Sequence, residues 1–215
     1  MDMVELKKNV DQLMNNSVLF LDKNNFQKSI DVLNNENKNL YIIDLLDNDV
    51  EVDIKINIHA SANMDIIISS LNYKNNVKKF KILVNHLDNS STSYVNVYGI
   101  NNDSSKTSFD LQAVIKDDSV DNFCQQSIKG VLLSDDAVIE GKPNLIINTN
   151  NIKAKHAVAI GCVNPAHIFY LESKGIVKEM AIKMILISYF NVILHKINDE
   201  EIREKYTQLI YEKIG

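Results

Sequence analysis

Tryptophan is absent from this 215-residue chain, which also contains only two prolines, two cysteines and six glycines. The two cysteines, Cys124 and Cys162, are too few for a disulfide framework and do not form a Cys-x-x-Cys metal cage. An enzyme that cleaves saccharides needs carboxylates and aromatic side chains gathered on one face. The lack of tryptophan, and of any such cluster in the sequence, argues against that class of enzyme.

An excess of positive charge is also missing, because 28 acidic residues outweigh 23 basic ones and give a formal net charge of -5. This balance argues against a nucleic-acid partner held by neutralisation of its phosphates. The most apolar stretch, residues 180–194, is interrupted by Lys183, Ser188 and Asn191 and is shorter than the roughly 20 residues of a membrane span. The acidic, polar N-terminus does not resemble a signal peptide. We therefore expect a protein of the reducing cytoplasm without a membrane partner.

Familiar catalytic motifs are missing as well. The sequence has no glycine-rich phosphate loop, no G-x-S-x-G elbow and no H-E-x-x-H pair. Asp135 and Asp136 are adjacent, and adjacent residues of a strand face opposite sides, so a turn is the better interpretation than a shared acid–base site. Four further histidines show no metal-ligand spacing with one another: His59, His86, His167 and His195. The sequence therefore predicts a protein that binds rather than an enzyme.

Short apolar or alternating runs, separated by clusters of Asn, Asp and Ser, fill residues 40–147. This pattern predicts an all-β region whose strands are four to six residues long. The spacing is typical of a sandwich, a barrel or a β-solenoid, and the period alone does not separate these folds. The runs are residues 41–45, 52–58, 65–68, 80–84, 94–98, 112–115, 131–133 and 145–147.

The two ends of the chain have helical signals. Apolar residues recur at helical spacing over residues 3–14, and residues 27–33 suggest another helical turn after a strand-like run at 18–21. Near the other end, Asn164 is a predicted N-cap with Pro165 at the first helical position, and Gly175 is a predicted C-terminal cap. A second helix is predicted from Ile176 to about residue 195.

A third helix is predicted to begin at Asn198, with Glu201 completing a capping box. The chain therefore divides into an N-terminal helical or irregular segment (1–39), a β core (40–163) and a C-terminal helical subdomain (164–215). This arrangement belongs to the α+β class, with β structure dominant.

Several motifs occur in a fixed order between Gln126 and Ala181. Residues 132–137 read LLSDDA and residues 142–143 read KP. They are followed by His156, Gly161, an FYL triplet at 169–171 and SKGI at 173–176. In this order and spacing they resemble the SufB/SufD core family of the SUF iron–sulfur assembly system. The chain is most similar to SufD-type members, and it is much shorter than usual members of the family.

The resemblance implies a right-handed parallel β-helix with a helical C-terminus, acting as a scaffold subunit in iron–sulfur cluster assembly. It implies a SufC-type ABC ATPase bound by the C-terminal helices, and a sister SufB-like subunit or a second copy paired along the β core. It also implies a transient iron–sulfur cluster at that subunit interface, with His156 as a metal ligand.

One departure from the family concerns the thiol ligand. Ala154 stands where cluster-holding members have a cysteine, two residues before the histidine. Cys162, near the start of a helix, is a candidate displaced ligand of the cluster, whereas Cys124 has a structural interpretation. The alternative function is a non-catalytic structural or interaction protein that keeps the SufD fold without cluster chemistry.

Overall fold

The computed structural model describes residues 17–214, so the helix predicted over residues 3–14 lies outside the described residues. Eleven strands precede three helices. The strands are β1 (Ser17–Phe20), β2 (Asn25–Val32), β3 (Asn37–Asp44), β4 (Val50–Ile58), β5 (Asn63–Asn72), β6 (Val77–His86), β7 (Thr92–Asn101), β8 (Lys106–Ile115), β9 (Asn122–Leu132), β10 (Val138–Ile147) and β11 (Ile152–Gly161). The helices are α1 (Pro165–Ser173), α2 (Lys178–Leu194) and α3 (Glu200–Lys213).

The strands wind into a parallel β-solenoid of about five turns. Odd-numbered strands form one sheet in the order β1-β3-β5-β7-β9-β11, and even-numbered strands form the other in the order β10-β8-β6-β4-β2. Every pairing is parallel and joins strands one full turn apart in the sequence. The parallel β-helix implied by the family resemblance is confirmed, and the sandwich and the barrel are excluded.

The irregular length of the turns explains why no strict repeat is visible in the sequence. Asn37 pairs with Asn63, an offset of 26 residues, whereas Lys106 pairs with Val138, an offset of 32 residues. The corners between strands absorb the difference. Seven residues other than glycine have positive φ there, as short polar side chains tolerate best: Asn35, Ser61, Lys74, Ser90, Asp103, Asp118 and Asp121.

The core of the solenoid lies between the two sheets, in what is here called the lumen. In β4, Val52, Ile54 and Ile56 are buried and alternate with more exposed residues, as a strand with one face toward a core requires. The lumen is narrow at Gly99, where an added Cβ would lie 2.8 Å from the Phe109 ring. A larger residue at position 99 would displace that ring.

The strands are longer than the four to six residues predicted, because polar side chains continue the inward row beyond the apolar runs. Asn72 donates from Nδ2 to Thr107 Oγ1 at 3.0 Å, and Thr107 donates in turn to Asn101 Oδ1 at 2.8 Å. All three residues are buried. Their hydrogen bonds offset the penalty of desolvation. Interruption of an apolar run therefore did not mark the end of a strand.

Two local predictions need correction. Residues 27–33 were expected to form a helical turn, but residues 25–32 form β2, whose register with β4 is complete along its length. Tertiary pairing decides the conformation there, since eight residues are too few for a stable helix on their own. The third helix is capped one residue later than predicted, because Asp199 accepts a hydrogen bond from the Ile202 amide at 3.0 Å.

The caps of α1 follow the prediction. Asn164 Oδ1 accepts from the Ala166 amide at 2.9 Å, and Pro165 is the first helical residue. Gly175 adopts a φ of 86°, and Ile176 N donates to Leu171 O, which forms a Schellman motif. The short helix is therefore fixed at both ends by local chemistry.

Helices α2 and α3 pack on the outer face of the odd-stranded sheet. Phe190 and Ile193 of α2, with Ile210 of α3, are fully buried against strand residues such as Ile43 and Ile100. Ser69 also donates from Oγ to the carbonyl of Tyr189 at 2.7 Å. The apolar character of residues 180–194 is mostly explained by this second core.

A buried ion pair ties two corners of the solenoid together. Lys78 Nζ lies 2.8 Å from Asp44 Oδ2, and neither side chain is exposed. The same Nζ donates to Leu46 O and Leu71 O, each at 2.7 Å, while Ser70 donates to the carboxylate at 2.7 Å. Burial lowers the pKa of Lys78, and the attraction of Asp44 opposes that shift. All three ammonium protons have acceptors, as a buried charge requires.

We predict that Lys78→Met destabilises the protein by about 3–5 kcal/mol, because it leaves the Asp44 carboxylate buried without its counter-charge. Urea unfolding followed by circular dichroism measures the free energy of unfolding. The matched control is Lys79→Met at the exposed neighbouring position of the same strand, with an expected change of at most about 0.5 kcal/mol.

Adding Asp44→Leu to Lys78→Met removes the unpaired charge and is expected to restore most of the lost stability. Equal losses in the Lys78 and Lys79 variants would show that the ion pair does not stabilise the corners.

Candidate functional site

The last turn of the solenoid has a free edge. β11 pairs with β9 and β10 pairs with β8, and neither pairs with a further strand within residues 17–214. Exposed apolar side chains lie along these strands, with Val138 46%, Ile146 38% and Val158 45% exposed. A row of unpaired backbone groups beside apolar side chains is a surface that pairs readily with another chain.

His156 lies in the middle of β11 and faces the open end of the lumen. Its register partner in β9 is Gln126, and paired residues of parallel strands share a face. The inward direction of this row is confirmed by Val158, two residues further on, whose Cγ1 lies 3.2 Å from a Cβ built on Gly141 of β10. His156 is exposed because it lies in the last turn.

Cys162 lies outside this lumen. It is exposed and follows the end of β11, just before the Asn164 cap of α1. A strand rises about 3.3 Å per residue, so the six residues from His156 to Cys162 correspond to about 20 Å. The two predicted ligands are therefore not neighbours within one chain, and their role in holding a cluster stays a prediction.

The structure instead brings Cys124 and Gln126 next to His156. Cys124 is fully buried on the inward face of β9, in register with Ala154. Burial raises the pKa of the Cys124 thiol to about 11. Sequence reasoning had treated Cys124 as structural. The signal that could have found it is the spacing of 30 residues between Cys124 and Ala154, which is one turn of the solenoid.

Gln126 has a buried acceptor without a donor. The residue is 2% exposed, and its Nε2 donates to the Asn144 carbonyl of β10 at 3.4 Å. Its Oε1 has no hydrogen-bond partner among residues 17–214. Since the Asn144 carbonyl must face the amide nitrogen, the orientation of the side-chain amide is fixed by this contact. The residue that carries this unpartnered oxygen is the register partner of His156.

The other histidines are not part of this site. His59 Nδ1 lies 3.1 Å from Asp88 Oδ2 at a corner of the solenoid, and His167 and His195 are exposed on the helical part of the chain. Within the described residues, no three or more His, Cys, Asp and Glu side chains gather in a metal-binding arrangement. A cation at the open end would therefore need at least one ligand of another kind.

Helix α1 presents a second uncovered surface. None of its nine residues is buried, and Phe169 and Tyr170 are 73% and 61% exposed. Val177, Met180 and Met184 extend the apolar surface onto the start of α2, with 66%, 40% and 44% exposure. These five residues are called the α1 patch below. Contiguous exposed apolar residues of this kind mark surfaces that bind other proteins.

The sequence profile of the SUF system FeS cluster assembly SufBD core domain matches residues 24–189, well over half of the chain. The chain belongs to the SufB/SufD core family. The match includes the strands from β2 onward, α1 and part of α2, so the fold and the family agree. The membership implied by the residues between Gln126 and Ala181 is confirmed.

Individual SufB/SufD proteins match shorter segments. The chain is 24% identical to the iron–sulfur cluster assembly protein SufD of Bacillus subtilis over 137 residues, which are 64% of this chain and 31% of that protein. It is 34% identical over 87 residues to a SufBD family protein of Mycobacterium tuberculosis, covering 40% and 22% of the two chains. SufD of Escherichia coli is 26% identical over 90 residues, covering 42% and 21%. The chain thus spans less than a third of each relative.

No helix among residues 17–214 combines the length and the apolar character of a membrane span.

A buried histidine in the SufB/SufD core lies between two serine hydroxyls. His86 Nδ1 and Nε2 lie 2.7 and 2.8 Å from the hydroxyls of Ser91 and Ser93. Ser91 donates to Asn122 Oδ1, so Nδ1 donates to Ser91 and Nε2 accepts from Ser93. This neutral tautomer satisfies both serines. Burial lowers the pKa of His86 to about 4.

We predict a loss of stability as the pH falls from 6.5 to 4, because the unfolded histidine takes up a proton there while folded His86 does not. The loss amounts to roughly 3 kcal/mol relative to His86→Gln. The measurement is urea unfolding of both proteins across this pH range, with His195→Gln as the exposed control. Parallel curves for wild type and His86→Gln would contradict the assignment.

Proposed function

We propose that this chain is a SufD-type scaffold subunit of iron–sulfur cluster assembly, which works by binding partners rather than by turnover. It contacts a SufC-type ABC ATPase through its C-terminal helices and a SufB-like subunit or a second copy through the open end of its solenoid. The family, shown by the match over residues 24–189, supports the assembly role. The partners follow from the family resemblance.

The exposed α1 patch is the observation that carries the ATPase contact. A nine-residue helix is too short to be stable alone in water, yet α1 is capped at both ends and buries none of its residues. Large aromatic side chains such as Phe169 and Tyr170 are the residue types that dominate binding energy at interfaces. The family resemblance implies the C-terminal helices for this contact without choosing among them. Most of α2 packs against the sheet, so we assign the contact to α1 and the start of α2.

The free edges of β10 and β11 support the contact with a second subunit. Addition of a strand to an exposed sheet edge supplies backbone hydrogen bonds, and the apolar side chains along the edge supply burial. Such a contact closes the lumen over His156. An imidazole in that position is able to bind the iron of a transient cluster at the interface, and the cluster is cargo rather than a resident group.

We predict that the chain co-elutes with the SufC-type ATPase of the same organism after anaerobic co-expression and size-exclusion chromatography. Replacing both aromatic residues of the α1 patch, Phe169→Ala with Tyr170→Ala, is expected to weaken the complex by roughly tenfold or more. The matched control is Leu33→Ala, because Leu33 is 55% exposed at a corner of the solenoid far from α1 in the chain.

Iron and sulfide analysis of the co-eluting peak separates the two candidate functions. Iron and sulfide in the peak support the assembly role. A stable complex without either supports the structural or interaction protein that keeps the SufD fold without cluster chemistry. Separate elution of the two proteins overturns the ATPase contact.

A further inference from the structure

We infer that Cys124, Gln126 and His156 form a binding site for a thiophilic divalent metal ion in the last turn of the solenoid, within a single chain. The inference rests on the proposed function only for the identity of the physiological ion. In a protein of iron–sulfur cluster assembly, that ion is Fe²⁺. It assigns the thiol ligand to Cys124 instead of Cys162.

The register of two neighbouring strands places the three side chains together. Gln126 of β9 is paired with His156 of β11, and Cys124 precedes Gln126 by two residues, so all three face the lumen. Parallel strands lie about 4.8 Å apart, and two residues span about 6.6 Å along a strand. The Cα atoms of Cys124 and His156 are therefore about 8 Å apart. A thiolate and an imidazole at this separation are able to reach one ion, with bonds of about 2.0–2.3 Å.

The open end gives a metal ion access to the buried thiol. The residue above Cys124 in the last turn is Ala154, whose side chain is a single methyl group. His156 is exposed, so its imidazole is free to turn between solvent and lumen. An ion bound first by His156 then meets Cys124 without the displacement of a large side chain.

The unpartnered oxygen of Gln126 is the independent sign of a ligand. A buried carbonyl oxygen without a donor is unfavourable, and an apolar residue at the same position would avoid this cost. The contact of Nε2 with Asn144 O holds the amide so that Oε1 stays free. A metal ion, or a water molecule bound to it, satisfies this oxygen.

The donor set determines the class of ion. Among divalent ions, a thiolate favours Fe²⁺ and Zn²⁺ over Mg²⁺ and Ca²⁺, and the imidazole is compatible with the same two ions. On binding, the Cys124 thiol loses its proton to solvent and the thiolate forms the metal–sulfur bond. Three protein ligands leave a coordination position open for water, sulfide or a group from a partner.

The test uses the small number of cysteines in the chain. Co²⁺ alone is titrated anaerobically into the full chain, and a thiolate-to-cobalt charge-transfer band in the near ultraviolet reports a metal–sulfur bond. The background is Cys162→Ser, which removes the only other thiol. We expect the band to persist in this variant, because Cys124 is still present and the substitution of an exposed residue leaves the fold of the protein unchanged.

Two further variants in the same background test the other ligands. His156→Ala is expected to weaken Co²⁺ binding by roughly tenfold or more, and Gln126→Leu by a similar factor. Both are read from the titration of the band, and thermal unfolding confirms that each variant is folded. His167→Ala serves as the exposed histidine control and should leave the affinity unchanged.

Three results overturn the inference. One is the absence of the band in Cys162→Ser, whether or not wild type shows it. The others are an affinity unaffected by His156→Ala, or unaffected by Gln126→Leu. The same proteins are passed over size exclusion with the SufC-type ATPase. Intact co-elution without a band refutes the metal site and leaves the scaffold function standing, whereas a band without co-elution refutes the ATPase contact alone.

Discussion

Each turn of a parallel solenoid is covered only by the next turn, and the structure depends on this constraint. Between neighbouring turns every strand has a partner on both sides, and inward side chains form a continuous core. At the last turn the coverage stops, so β10 and β11 keep free edges and the lumen opens at His156. The residues of the candidate site therefore lie in and next to the last turn, which no further turn within residues 17–214 covers.

Polar groups inside the solenoid are tolerated because the ladder supplies their partners. Lys78 and Asp44 form an ion pair, and Lys78 also donates to the carbonyls of Leu46 and Leu71. His86 is held neutral between two serines. Two buried side-chain atoms among residues 17–214 lack a hydrogen-bond partner, Asn72 Oδ1 and Gln126 Oε1. Asn72 lies inside the ladder, where its Nδ2 donates to Asn76 O, Lys106 O and Thr107 Oγ1, whereas Gln126 lies next to the last turn, at the open end.

Two of the three helices in residues 17–214 stabilise the fold by packing on the sheet, and the other leaves its large aromatic side chains exposed. Helices α2 and α3 bury Phe190 and Ile210 against the sheet, whereas α1 keeps Phe169 and Tyr170 in solvent. The apolar character of α1 is similar to that of α2, so composition did not distinguish the buried helix α2 from the exposed helix α1. Only the packing of each helix against the odd-stranded sheet made the distinction.

The sequence by itself determined what depends on local chemistry. The Asn164–Pro165 start and the Gly175 end of α1, the β character of residues 40–147 and the family motifs between Gln126 and Ala181 were all visible in it. The conformation of residues 27–33 was not, because pairing with β4 overrides local preference there.

Only the tertiary structure decided which strands are neighbours, because paired residues lie 23 to 32 positions apart and corners of uneven length hide the repeat. That register makes Cys124 rather than Cys162 the neighbour of His156. Short-range patterns report hydrogen bonds within one segment, and the contacts that build this site join segments one whole turn apart.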